Sequence, residues 1–106
     1  MITEDEVDKA LHWLTESAEA CARRRAERLY LEDFTRSLKA DLMSAHLAEP
    51  LGAQERHAYS DIRYKNHLAA LKIAIYEDEK SRFLREAATV KIEAWRTQQA
   101  NMRGQL

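Results

Sequence analysis

The chain contains very little that would stop a helix. Its 106 residues include two glycines and one proline, where a typical domain has several of each. One cysteine, Cys21, excludes an intrachain disulfide and fits a reducing compartment. No run of about 18 apolar residues is present, which excludes a membrane-spanning helix of ordinary length. The formal net charge is −1, so the chain lacks the overall basic surface of a plain nucleic-acid binder. There is no glycine-rich phosphate loop and no Glu-x-x-His pair of the di-iron bundle kind. Cys21 lies on an apolar stripe between Ala18 and Leu29 and reads as a small core residue, not a nucleophile. The expectation is a protein that is not an enzyme and carries no cofactor.

Metal ligation has one weak candidate. The histidines are His12, His46, His57 and His67, and the pair singled out is His57 with Asp61, one turn apart. That pair reads as a solvated helix face, and no metal is expected. The acidic opening "MITEDEVDKA" does not read as a signal peptide, so the expected location is the cytoplasm.

What is present favours helix throughout. Ala, Leu, Glu, Arg and Lys dominate, and all are good helix formers. The hydrophobic share of 45% is too high for a disordered chain. Thr3 and Glu6 form a Thr-x-x-Glu capping box. The one strong breaker is "EPLGAQ", with Pro50 and Gly52. The pattern therefore predicts a single domain over residues 1–106. It has a helix over about 4–47, a turn near 49–53 and a second helix over about 54–102.

Periodicity refines this. Tyr59, Ile62, Asn66, Ala69, Ile73, Tyr76, Lys80, Phe83, Ala87, Val90 and Ala94 recur at steps of three and four, the seam of a coiled coil. Leu68, Leu71 and Ile75 flank it on one side. Leu84, Ala88, Ile92 and Trp95 flank it on the other, an arc wider than one neighbouring helix covers. In the first half, Val7, Leu11, Leu14, Ala18, Cys21 and Leu29 share one face. Leu31, Phe34, Leu38, Leu42 and Ala45 lie on nearly the opposite one. Either the helix bends near "RLYLEDF", or its halves touch different neighbours, or it breaks near Tyr30. The predicted fold is an all-α, long antiparallel helical hairpin, coiled-coil-like and assembled into an oligomeric bundle. A thin core in a small chain points the same way.

In the hairpin, facing residues should have numbers totalling about 102–104. Phe34 would meet Leu68 and Ala69, and Leu29 would meet Ile73. The basic cluster Arg23, Arg24, Arg25 and Arg28 falls opposite Glu77, Asp78 and Glu79. That cluster has two readings, a phosphate-binding patch and an ion-paired strip across the hairpin.

The tail "EAWRTQQANMR" is the most distinctive stretch. Lys91, Trp95, Arg96 and Arg103 combine cations with an aromatic that can stack on a base, as in single-strand nucleic-acid sites. Gln98, Gln99 and Asn101 could donate to phosphates or base edges. The structural reading is that Trp95 packs near Val7, with cations favoured at a helix C-terminus.

The tail "IEAWRTQQANMR" and the upstream "RHAYSDIRYKNHLAAL" together resemble small helical phage and prophage proteins of the UvsY recombination-mediator type. The likeness covers about residues 55–103 and rests on Trp95-Arg96, Ala100 and Arg103, with Ala58 and Tyr64 spaced upstream. It implies an all-helical homo-oligomer that binds single-stranded DNA and helps load a recombinase. Carried onto this sequence, it marks Trp95, Arg96 and Arg103. The alternative is a coiled-coil interaction or adaptor protein with no nucleic-acid role.

Overall fold

A computed structural model describes residues 1–105. Among them the chain is all-α, with four helices and no strand: α1 (Glu4–Glu16), α2 (Ala18–Ser44), α3 (Leu51–Ser60) and α4 (Ile62–Gly104). No helix is long and apolar enough to cross a membrane.

The capping box starts α1. The Thr3 hydroxyl accepts from the Glu6 N–H at 3.2 Å, and the Glu6 carboxylate accepts from the Thr3 N–H at 3.2 Å. Two of the free N–H groups at the helix start are thereby satisfied. The first helix is interrupted at one residue, Ser17, and not near Tyr30. The ladder carries across it, since Ser17 N–H donates to Trp13 C=O and Cys21 N–H to Ser17 C=O. Thr15 donates its hydroxyl back to Leu11 C=O at 3.1 Å, a bond that competes with the backbone ladder and loosens a helix. The Ser17 hydroxyl is buried without a hydrogen-bond partner.

The reversal occupies residues 45–50, slightly ahead of the expected 49–53. Pro50 is the residue preceding α3, and its C=O accepts from Ala53 and Gln54 N–H. Proline is tolerated there because it has no N–H to leave unpaired. Gly52 therefore lies inside the first turn of α3, and none of the described residues has a positive φ. A second interruption, absent from the sequence reading, falls at Asp61, which is extended at φ −66°, ψ 135°. Its carboxylate accepts from the Arg63 N–H at 2.8 Å and caps α4.

The chain packs as two compact units. One joins Met1–Arg23 to the segment from Glu79 onward, and the other is Arg24–Asp78. In the first unit, Val7, Ala10, Leu14, Ser17 and Cys21 are buried or half-buried. So are Ser81, Arg85, Ala88, Ile92, Trp95 and Gln99 on α4. The backbone of Ile2 is clamped to Gln98, donating its N–H to Oε1 at 3.1 Å and accepting from Nε2 at 2.8 Å. In the second unit, the inward positions on α2 are Arg28, Leu31, Thr35, Leu38 and Leu42. On α3 and α4 they include Ala58, His67, Leu71, Ala74 and Asp78. Both sets recur at steps of three and four.

Two sequence expectations are corrected here. The buried face of α2 does not switch at "RLYLEDF". It runs on, with Arg28 and Thr35 filling the positions that an apolar count skips. On α3 and α4, none of the eleven residues of the expected seam, Tyr59 to Ala94, is inside: all are exposed. Ile62 is 65% exposed, Ile73 64%, Tyr76 61% and Val90 62%. The inward positions lie on average one and a half residues further along, about 150° around the helix.

Packing across the hairpin is near the expected register, with totals of 100 at Ile2 and Gln98 and 106 at Arg28 and Asp78. Thr35 meets His67, whose numbers total 102. Phe34 contacts the His67 ring, with centroids 5.6 Å apart, and is displaced by one position from the expected Leu68. Leu29 and Ile73 are both exposed. The buried hydrophobic residues are mostly small: Ala10, Cys21, Ala58, Ala74 and Ala88, with Val7 and Leu42.

Candidate functional site

In the basic cluster on α2, Arg23 and Arg28 are held by acids. Arg23 pairs with Glu19, one turn away, at 2.7 Å. Arg28 is held at 2.9 Å by Glu32 and at 3.2 Å by Asp78 across the hairpin. Arg24 also has a partner, and Arg25 is exposed. The ion-paired reading thus holds at Arg28 and Asp78, whereas Arg23 pairs along its own helix.

The tail residues are arranged differently. Arg96 and Arg103 are exposed and lie seven residues apart on one side of α4. Neither they nor Lys91 forms an ion pair among the described residues. Trp95, Arg96, Gln99, Ala100 and Arg103 line a shallow open depression. Trp95 is half-buried, so only part of its ring is available for stacking. Lys91 points elsewhere. It is turned about 140° from Arg96 and borders an apolar cleft with Trp13, Ala10 and Leu84. The four tail candidates therefore do not share one face. Gln98 is committed to the Ile2 backbone.

A third group was not anticipated as a unit. His46 Nδ1 lies 2.9 Å from Glu49 Oε2, and His57 Nε2 lies 3.0 Å from the same oxygen. The two imidazoles stack with centroids 3.7 Å apart and planes 4° from parallel. The Glu49 carboxyl is held below its ordinary range, first by the His57 hydrogen bond, with slight burial opposing and the charge of His57 and His46 assisting. The sequence paired His57 with Asp61 instead. Asp61 is engaged by Arg63 at 2.8, 2.9 and 3.1 Å and takes no part in the cluster. His46-x-x-Glu49 was the visible signal. His57 joins it only because the reversal brings α3 back.

Comparison with family models, with curated proteins and with solved structures finds no match for this chain. The fold defines an all-α helical hairpin.

Proposed function

We propose that this is a non-enzymatic helical protein that works by assembling with copies of itself. The observation carrying the reading is the exposed ridge of α4. Ten of the eleven positions in heptad spacing lie on α4 and face solvent, and the apolar side chains among them fit another helix. The sequence also favours a second copy in antiparallel orientation. The residues preceding every second ridge position are Lys65, Lys72, Glu79, Glu86 and Glu93, of which Glu79 and Glu86 also hold Arg82 on their own helix. Antiparallel pairing in which facing ridge residues total 149 sets Ile73 against Tyr76 of the partner subunit. It also brings Lys72 near Glu79 of the partner subunit, and Lys65 near Glu86 of the partner subunit. A parallel pairing in register stacks Lys80 on its own copy, which like charges oppose. Mixing Ile73→Cys and Tyr76→Cys chains under oxidation tests this. Mixed disulfides should well exceed the half share that random pairing of an equal mixture gives, and a random 1:2:1 distribution contradicts the register.

A second reading is favoured by the unpaired tail arginines beside Trp95. In it the assembly is a phage-type recombination accessory that binds single-stranded DNA and assists a recombinase, as the resemblance to UvsY-type mediators implies. Two arginines per chain neutralise few phosphates, giving a salt slope of about −0.7 per contact. Affinity then comes from several copies on one strand. The check is fluorescence anisotropy of a labelled oligonucleotide at two salt concentrations, on wild type and Arg96→Ala/Arg103→Ala. Salt-sensitive binding lost in the double variant supports the reading. Absence of binding by wild type at low salt removes it.

A further inference from the structure

The geometry points to a divalent transition-metal site at the helical reversal, built from His46, Glu49 and His57, with zinc the representative ion. Nothing in the proposed assembly depends on it.

The donor set comes first. Two imidazole nitrogens and one carboxylate oxygen are a recognised zinc ligand set, completed by water in the fourth position. Such nitrogen and oxygen donors suit borderline divalent ions, whereas magnesium favours an all-oxygen octahedral shell. The three donor atoms lie within 4.8 Å of one another. Zinc bonds of about 2.0–2.1 Å in a tetrahedron place neighbouring donors about 3.3–3.4 Å apart. The nitrogens already stand 2.9 and 3.0 Å from Glu49 Oε2. Both approach one carboxylate oxygen, so an ion between them meets three donors once the rings reorient. The rings are stacked and parallel, and must splay so that their lone pairs converge.

The backbone around the donors is fixed by local bonds. The Glu49 N–H donates to His46 C=O at 3.0 Å, and Glu49 C=O accepts from Gln54 Nε2 at 2.9 Å. The His46 N–H donates to Met43 C=O. His57 is carried on α3, whose start is set by Pro50. Little ordering therefore remains to be done when the ion binds, which favours affinity. The donors are half-exposed, so an ion can enter from solvent, each imidazole ligating in its neutral form with its proton on the other ring nitrogen.

The test titrates the full chain with zinc alone by calorimetry, with magnesium as a control. One zinc per chain is expected, with a rise in melting temperature, and no response to magnesium. Glu49→Gln and His57→Gln should each weaken zinc by at least the roughly 10–100-fold that even loss of a supporting residue costs. His12→Gln, outside the cluster, should bind as wild type does. Undiminished zinc binding by Glu49→Gln, or an equal loss in His12→Gln, overturns the site. Should a variant lose its helical circular dichroism, cobalt(II) on the wild type decides. Intense tetrahedral ligand-field bands support the site, and a spectrum like that of aqueous cobalt overturns it.

Discussion

Thr35 and His67 meet between α2 and α4, with the threonine hydroxyl 2.7 Å from the ring Nε2. The hydroxyl also lies 3.0 Å from Leu31 C=O; donating its single proton there makes it the acceptor of an Nε2–H from the ring. A polar pair thus occupies a position where an apolar layer was expected, while Ile73 and Tyr76 face outward on the same helix.

Thr35→Val should leave the buried Nε2–H without an acceptor and cost about 1–3 kcal/mol. Thr35→Val/His67→Leu removes both polar partners and should recover most of that loss. Urea denaturation of the two single variants and the double variant reads the coupling. Additive losses would mean that the two side chains do not depend on one another.

The two kinds of arginine pair should separate cleanly. The Asp78 side chain is 14% exposed and faces Arg28, so Asp78→Ala should cost about 2 kcal/mol through a buried hydrogen bond to a charged group. Arg23 and Glu19 are 78% and 77% exposed. Arg23→Ala should change stability by no more than about 0.5 kcal/mol. Equal effects in chemical denaturation would contradict the difference in burial.

Acid should loosen the start of α4. The Asp61 carboxyl is held below its ordinary value by hydrogen bonds from the Arg63 side chain first and then its backbone N–H, with slight burial opposing. A depressed folded value means that the stabilisation is fully present above the unfolded carboxyl value of about 3.9. It is lost as pH falls through the folded value. Melting temperature followed downward from about pH 5 should therefore fall less steeply in Asp61→Asn than in wild type. Parallel curves would show that this cap contributes nothing at acid pH.

Much of the fold was legible because its signals are local. Thr3 with Glu6, the lone Pro50 and the absence of other breakers fixed the hairpin and its register. The interruptions at Ser17 and Asp61 contain no glycine or proline. Asp61 before an apolar residue is nonetheless an N-cap signal that could have been read. The seam itself was misread for a physical reason. Apolar periodicity finds the faces that want burial, and here Arg28 and Asp78, and Thr35 and His67, occupy inner positions by pairing with one another. The apolar repeat was real, but it belongs to the outside of the hairpin. The His46, Glu49 and His57 cluster depends on a chain reversal that no linear spacing displays.

The central claim is that the exposed ridge of α4 is covered by a second copy. Light scattering coupled to gel filtration at micromolar concentration tests it most directly, on wild type and on Ile73→Glu/Tyr76→Glu. Wild type should have a mass that is a multiple of 12.3 kDa, and the double variant should run at 12.3 kDa with its helix content retained. A wild-type protein that stays at 12.3 kDa and melts cooperatively would contradict the account.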